Sequence, residues 1–340
     1  MSFKRLLYEW HQSVERNLPW KETKDPFFIW LSEVILQQTR VEQGIPYYLR
    51  FRARYANVAE LANSSDEELM KLWEGLGYYS RARNLHKAAK QIVESGGQFP
   101  STYEDLLALP GIGPYTASAI ASFAYDLPTP VIDGNVNRVI ARFFGISTPI
   151  DTLPGQKEIR EILDKVFDVE YPARFNQAIM DFGAIQCKPK NPDCLICPFS
   201  DVCVAFAESQ VNVLPMKAKK IKKKERTIRY AVLLVENQVV IKKRVDKDIW
   251  RHLHDFVELE TVDLREIETL TYKKGEQIRI DGPYKHILTH RNLTIYFHII
   301  EIQDLKIENG SPYFLVERKN LRKFAFPKII DWYLNEKSIS

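Results

Sequence analysis

The four cysteines of this 340-residue chain, Cys187, Cys194, Cys197 and Cys203, all fall within CKPKNPDCLICPFSDVC. Six, two and five residues separate them, and prolines bend the chain between. A disulfide framework scatters its cysteines, whereas thiols gathered this closely can surround one metal centre. Spacing alone leaves a four-cysteine zinc site and an iron–sulfur cluster both open. Four unrelated buried thiols is the plainest alternative, and the compact grouping argues against it. The cluster sits at the end of the first 208 residues, which read as mostly helical.

A chain this long exceeds one ordinary domain, so two are expected. Apolar periodicity predicts helices over 27–39, 80–94, 116–125, 134–143, 156–167 and 172–184. The second is stopped by Gly96-Gly97 and Pro100, and Ser101 with Glu104 then forms a capping box that opens YEDLLAL. The pattern changes after residues 217–229, where eight Lys/Arg stand against one Glu. Such a run is usually a solvated linker, and it can also touch nucleic-acid phosphates. Beyond it, YAVLLVEN and QVVIKKR read as strands joined by a tight turn at Glu236–Gln238, TIYFHIIEI as a third strand, and FPKIIDWYLNE as a closing amphipathic helix. The expected organisation is a helical domain over 1–208, a basic linker over 209–226 and an α+β domain over 227–340. Apolar runs reach only five or six residues, too short to span a bilayer, and MSFKRLLYEWHQ lacks a signal peptide's apolar core. The expected compartment is the bacterial cytoplasm, at the nucleoid.

Three further stretches carry chemistry. In LPGIGPYTASAIA, Gly111 and Gly113 allow backbone angles that a Cβ resists, and the helix opening at Pro114 directs free N–H groups outward. That turn can hold a phosphate without a charged side chain, or serve only as a packing corner. In VIDGNVNRVIAR, Asp133 can cap a new helix, present an ionised acid to a substrate, or do both, with Asn135 orienting the site through its amide. Glu33 interrupts the apolar run Phe27–Leu36. An exposed helical glutamate is the common case, but desolvation there would raise its pKa and let it hold a proton near neutrality. Two carboxylates in unlike environments suit N-glycosidic cleavage, one protonating the leaving base and the other stabilising the oxocarbenium ion.

C-x6-C-x2-C-x5-C after a helix–hairpin–helix and an aspartate resembles the endonuclease III superfamily of DNA glycosylases. Within it, LPW, WLSEVILQQTRVE, GLGYYSRARNLHKAA, LPGIGPYTA, VIDGNVNRV and FNQAIMDFGAIQC resemble, in order, the MutY family, which removes adenine opposite 8-oxoguanine. The resemblance covers most of the first 205 residues. It implies a mainly α helix-hairpin-helix glycosylase domain and one four-iron, four-sulfur cluster on the four cysteines, with structural and DNA-docking roles; Lys188 and Lys190 nearby can meet phosphate. It also implies that Glu33 protonates adenine, that Asp133 stabilises the oxocarbenium ion or forms a covalent intermediate, and that Asn135 accompanies it. Trp20, Leu36 and Gln177 match positions at the flipped adenine, with Trp20 and Leu36 also fitting plain core roles, and Thr39 is expected among the residues that bind DNA. Gln38 and Tyr78 match residues wedged into the duplex around 8-oxoguanine, and Arg81 and Arg83 are expected at phosphates. Where the lyase branch carries a Schiff-base lysine, this chain has Tyr115, which cannot form an imine. Its hydroxyl is expected to position Asp133 or the sugar, unless the ring is a helix-start packing residue.

The same family carries a Nudix-like C-terminal domain that recognises 8-oxoguanine. Counting back from Arg265-Glu266 gives Arg251 and Val257 where the hydrolase signature requires glycine and glutamate, so pyrophosphate hydrolysis is not supported. Leu288-Thr289-His290 stands in place of the family's Phe-Ser-His loop; Thr289 keeps a hydroxyl and His290 the ring, while Leu288 loses an aromatic. The expected partner is double-stranded DNA containing adenine opposite 8-oxoguanine or guanine, bound by a monomer; no motif supports a sliding-clamp contact. A bifunctional endonuclease III-like glycosylase/lyase and a non-catalytic lesion-binding protein are the alternatives.

Overall fold

The computed structural model describes residues 2–337 except 15, 219–222, 246–247, 260–269 and 289; the side chains of 270–278 and 304 are also outside the description. In chain order the helices are α1 (Phe3–Gln12), α2 (Pro26–Leu36), α3 (Val41–Arg54), α4 (Val58–Asn63), α5 (Asp66–Trp73), α6 (Ser80–Glu94), α7 (Tyr103–Leu107), α8 (Pro114–Tyr125), α9 (Gly134–Phe144), α10 (Leu153–Val166), α11 (Pro172–Ile185) and α12 (Val204–Ala207). Strands β1 (Lys224–Val235), β2 (Gln238–Lys243), β3 (His254–Asp255), β4 (Val257–Leu259), β5 (Leu270–Ile287), β6 (Arg291–Ile307) and β7 (Tyr313–Glu317) follow, and α13 (Lys328–Glu336) closes the described chain. Contacts group Met1–Ala62 with Lys87–Lys220 as one compact unit, and Asn63–His86 with Ile221–Ser340 as another. The sequence division places 63–86 inside the helical domain; its contacts place it with the C-terminal residues. Among the described residues no helix is long and apolar enough to cross a membrane.

The helical unit is organised around α2. PFFIWLSEVIL is apolar on every side, and a helix of that kind belongs in an interior. Asp25 starts it by accepting from Phe27 N–H at 2.9 Å, with Pro26 in the first turn. It packs against α3 and α8. The small residues of α8, buried from Thr116 to Ser122, permit close approach. A second core joins α1, α9, α10 and α11, where Phe3 stacks on Phe199 at 5.1 Å and Phe182 lies 4.8 Å from Phe199. Gly183 marks the tightest crossing: a Cβ there would stand 2.6 Å from Asn135 Cβ, so only glycine lets α11 reach the mouth of α9. The predicted capping box is displaced by one residue. Thr102, not Ser101, caps α7, its hydroxyl accepting from Asp105 N–H at 3.1 Å. The predicted helix 27–39 ends at Leu36, because Gln38 takes a left-handed φ of 55°.

In the other unit, β1 and β2 form the expected hairpin, with Val235 opposite Gln238 and Glu236 at φ 51°. The sheet runs β3-β2-β1-β6-β5, with β4 also on β1 and β7 on β2. β1 and β6 pair in parallel from Lys224–Arg291 to Leu234–Glu301, and β1 is buried without a break from Tyr230 to Leu234, which explains the unbroken apolar YAVLL. Phe297 stacks on Tyr333 of α13 at 3.7 Å. β5 went unpredicted, since LTYKKGEQIRIDGPYKHI shows little apolar alternation and owes its pairing to β6. Between β5 and β6, Leu288 N–H donates to Arg291 O at 2.8 Å, and His290 is exposed. Thr289, Arg265 and Glu266 lie outside the described residues.

Candidate active site

Three helix segments of the helical unit deliver the predicted acids to one cavity. A pocket of about 720 Å³ is lined by Trp20, Glu33, Leu36, Thr39, Tyr115, Asp133, Asn135 and Gln177, residues that the sequence scatters over more than half of that unit. Glu33 projects from the buried interior of α2 and is only 6% exposed. Burial pushes its carboxyl up to about 7; the Tyr115 hydroxyl, which donates to it, pulls the other way, and nearby Asp133 adds to the rise. The phenol of Tyr115 is in turn held well above its usual range by burial and by the two carboxylates. The Tyr115 hydroxyl was expected to position Asp133 or the sugar; in this structure its hydrogen bond goes to Glu33.

Asp133 is the predicted cap of α9, and its second oxygen meets Asn135. Oδ1 accepts from Val136 N–H at 2.7 Å as the cap of α9, and Oδ2 accepts from Asn135 Nδ2 at 2.7 Å. Burial raises its pKa, while those donors and the Arg138 guanidinium oppose the rise. Sequence reasoning credited the helix end with keeping this acid ionised; burial is the larger influence, and the donors restrain it. Arg138, missed in the sequence, continues the chain of contacts, donating to Asn135 Oδ1 at 2.8 Å, to Gly183 O at 2.6 Å and to Cys187 O at 2.8 Å. Its place one helical turn after Asn135 was the available signal.

A second group also escaped notice. Asp181 is fully buried and accepts from His11 at 3.0 Å, Arg16 at 2.7 Å and Lys21 at 2.6 Å, three cations or potential cations that line the pocket. They draw its carboxyl down to about 2 against the cost of burial.

The remaining expectations divide. Gly111 takes a φ of 79°, and a Cβ added to Gly113, the cap of α8, would meet nothing within 4 Å, so the hairpin is open to an approaching group. Gln38 and Tyr78 are both exposed and both left-handed, at φ 55° and 47°. Arg81 does not reach outward as predicted: it is 7% exposed, donates to Gly77 O at 3.2 Å and lies over the Trp73 and Tyr78 rings. Arg83 is likewise engaged, donating to Arg251 O at 2.9 Å. In this structure both guanidinium groups meet carbonyl oxygens, of Gly77 and of Arg251.

Cys187, Cys194, Cys197 and Cys203 line a single cavity walled by Val139, Phe143, Phe182, Phe199 and Phe206. Among the described residues, no three His, Cys, Asp or Glu side chains are grouped as ligands of one metal ion. The Arg142 guanidinium lies 3.5 Å from Cys187 Sγ and also donates to Lys188 O at 2.7 Å. Burial pushes the Cys197 thiol up to about 12. Four sulfur donors, an apolar wall and an adjacent cation fit a bound anionic metal–sulfur group. Lys188 and Lys190 are exposed beside it.

Residues 31–168 match the HhH-GPD superfamily base excision DNA repair protein model, and residues 229–336 match the NUDIX domain model. The adenine DNA glycosylase of Buchnera aphidicola subsp. Schizaphis graminum is 36% identical over 304 residues, covering 88% of this chain and 86% of that protein. This chain belongs to the adenine DNA glycosylase family. The mouse adenine DNA glycosylase is 40% identical over 228 residues, covering 63% of this chain and 44% of the mouse protein. Among solved structures, a thermostable thymine-DNA glycosylase matches with a TM-score of 0.57 and 28% identity, over 61% of this chain and 95% of that one. An endonuclease III–DNA complex matches at 0.51 and 24% identity, over 62% and 99%, a likeness of fold. The family's glycosylase fold thus accounts for the helical unit, and the Nudix-like match for the sheet.

Proposed function

We propose that the protein is a base excision repair enzyme that flips adenine out of duplex DNA and hydrolyses its N-glycosidic bond, acting on adenine opposite 8-oxoguanine or guanine. The observation that carries this reading is the convergence of Glu33, Tyr115 and Asp133 on one cavity, with a carboxyl near neutrality beside a carboxylate held by three donors. Protonated Glu33 donates to a ring nitrogen of the leaving adenine. Ionised Asp133 faces the sugar and stabilises the oxocarbenium ion as the bond breaks, while Asn135 and Arg138 fix its orientation. Gln177 recognises the base edge with an amide that both donates and accepts. Water completes the hydrolysis and leaves an abasic site. Tyr115 has no amine with which to form an imine, so the reaction stops there, without a lyase step.

Cys187, Cys194, Cys197 and Cys203 would hold one four-iron, four-sulfur cluster. When bound it supplies four metal–thiolate bonds that tie residues 187–203 into the fold, and Lys188 and Lys190 then face DNA phosphate. Gln38 and Tyr78 act as wedges in the duplex, and the Nudix-like domain reads the opposite base through Thr289 and His290. The deciding assay offers duplexes with adenine opposite 8-oxoguanine, with and without alkali. Strand breaks only after alkali support a monofunctional glycosylase. Breaks without alkali, together with a borohydride-trapped adduct, would convert the reading to a lyase. No base release, with DNA still bound, would leave a binding protein.

A further inference from the structure

The pocket holding Glu33, Tyr115 and Asp133 is formed by the first compact unit, whereas the Tyr78 turn belongs to the second. That turn is built under strain. Gly75, Gly77 and Tyr78 take φ values of 86°, 76° and 47° in succession, and a tyrosine at positive φ persists only where its surroundings hold it. Trp73 Nε1 donates to Gly77 O at 3.0 Å and Arg81 donates to the same oxygen at 3.2 Å, while the Tyr78 ring stays 43% exposed.

The turn is also fastened to one short stretch near the C-terminus. Glu74, at the end of α5, accepts from Phe326 N–H through Oε1 at 2.9 Å, and its other oxygen pairs with Lys71. Lys71 Nζ donates in addition to Phe324 O at 3.1 Å. The Tyr79 hydroxyl donates to Phe326 O and accepts from Gly75 N–H, both at 3.3 Å. From the opposite side, Ala325 O accepts from His254 N–H at 2.8 Å, and the Phe324 ring packs on His254 at 4.9 Å. The Glu74 side chain is only 12% exposed. A buried carboxylate is costly unless every oxygen is paired, and here both are paired by joining two distant parts of the chain. Helix termination alone would not call for an acid at this place.

We propose that Glu74 and Lys71 are positioning residues through which the Phe324–Phe326 segment sets the Tyr78 turn, so that discrimination of the base opposite adenine depends on this contact while bond cleavage does not. The inference rests on the reading of Tyr78 as a duplex wedge and of the reaction as adenine release.

The test uses the full-length protein and three variants, Glu74→Ala, Glu74→Gln and Lys71→Met. Single-turnover adenine release is measured with 8-oxoguanine or guanine opposite, and 2-aminopurine beside the opposite base reports its unstacking. For Glu74→Ala the ratio of the two rates should fall roughly ten-fold, the scale of one charge-assisted hydrogen bond. The 2-aminopurine signal should fall with it, and the guanine rate should change by less than about two-fold on the same scale. Glu74→Gln keeps an acceptor for Phe326 N–H and should restore most of the ratio. Lys71→Met carries the same prediction as Glu74→Ala if that variant does not fold. An unchanged ratio, or equal slowing on both duplexes, would overturn the proposal. Absence of adenine release by the unaltered protein would instead sink the proposed function, and this inference with it.

Discussion

Replacing Tyr115 by phenylalanine removes the hydroxyl that donates to Glu33, the proposed acid, and the consequence for pH runs opposite to a simple loss of activity. Glu33 sits at about 7 because burial raises its carboxyl while the Tyr115 hydroxyl, donating to the charged form, holds it down. A hydrogen bond to an ionised group contributes roughly 1.5–3 kcal/mol. At about 1.4 kcal/mol per pKa unit, its removal should raise Glu33 by roughly one to two units. The second-order rate constant for adenine release, measured at limiting duplex, reports the free enzyme's acid. Its alkaline limb should therefore move from about 7 in the unaltered protein to roughly 8–9 in the variant. The ratio of variant to unaltered rate should rise roughly ten- to fifty-fold between pH 6 and 9, whatever its absolute value at pH 6. Rates come from alkali-labile sites quantified across that range. A midpoint that stays in place or moves down would refute the hydrogen bond's assigned direction, and with it the division of labour between the two acids.

Further predictions follow from the same contacts. A carboxyl raised in the folded state destabilises the fold once it must ionise. Glu33 therefore contributes no penalty below its ordinary 4.5, and a growing one as pH rises through about 7. Glu33→Gln should abolish adenine release yet raise stability to urea at pH 8 by about 3 kcal/mol, with the advantage shrinking toward pH 4.5; an advantage over the unaltered protein no larger at pH 8 than at pH 4.5 would contradict the burial argument. Asp181 has the opposite sign. Its pKa is drawn from 3.8 to about 2, so its stabilisation is complete above 3.8 and is lost as pH falls through about 2. Asp181→Asn should cost about 2 kcal/mol at pH 7 in urea unfolding, the difference fading in strong acid; an equal loss at both extremes would assign Asp181 a purely steric role. Arg138→Met breaks the contacts to Asn135, Gly183 and Cys187 together. It should slow adenine release by roughly ten-fold or more and lower the iron bound per chain, read from absorbance and iron assay; normal activity with normal iron would show the chain of contacts to be idle. Stripping the cysteine site with a chelator and oxidant should bleach a yellow-brown protein and weaken DNA binding. A colourless, fully active protein with stoichiometric zinc would overturn the cluster assignment.

Much of this molecule was legible along the chain. The apolar run around Glu33 announced both a buried helix and an acid with a raised pKa, because a helix apolar on all sides has no solvent face on which to place a carboxylate. Asp133 before glycine and a periodic segment announced a cap. The four cysteines, close in sequence, line one cavity, as their spacing led one to expect. What the chain could not announce were partners distant in sequence. Whether Tyr115 served Glu33 or Asp133 depended on how α8 crosses α2. Arg81 and Arg83 read as surface cations because a side chain's type does not reveal whether carbonyls of a nearby turn will capture it. β5 lacked alternation and became a strand through the edge of β6. Even the allegiance of residues 63–86 was invisible, since it is decided by where Glu74 and Lys71 find Phe324–Phe326, some 250 residues away along the chain. Local propensity and the spacing of reactive side chains are properties of the sequence. Which donor meets which acceptor in the low-dielectric interior, and so which acid keeps its proton, is a property of the packed helices alone.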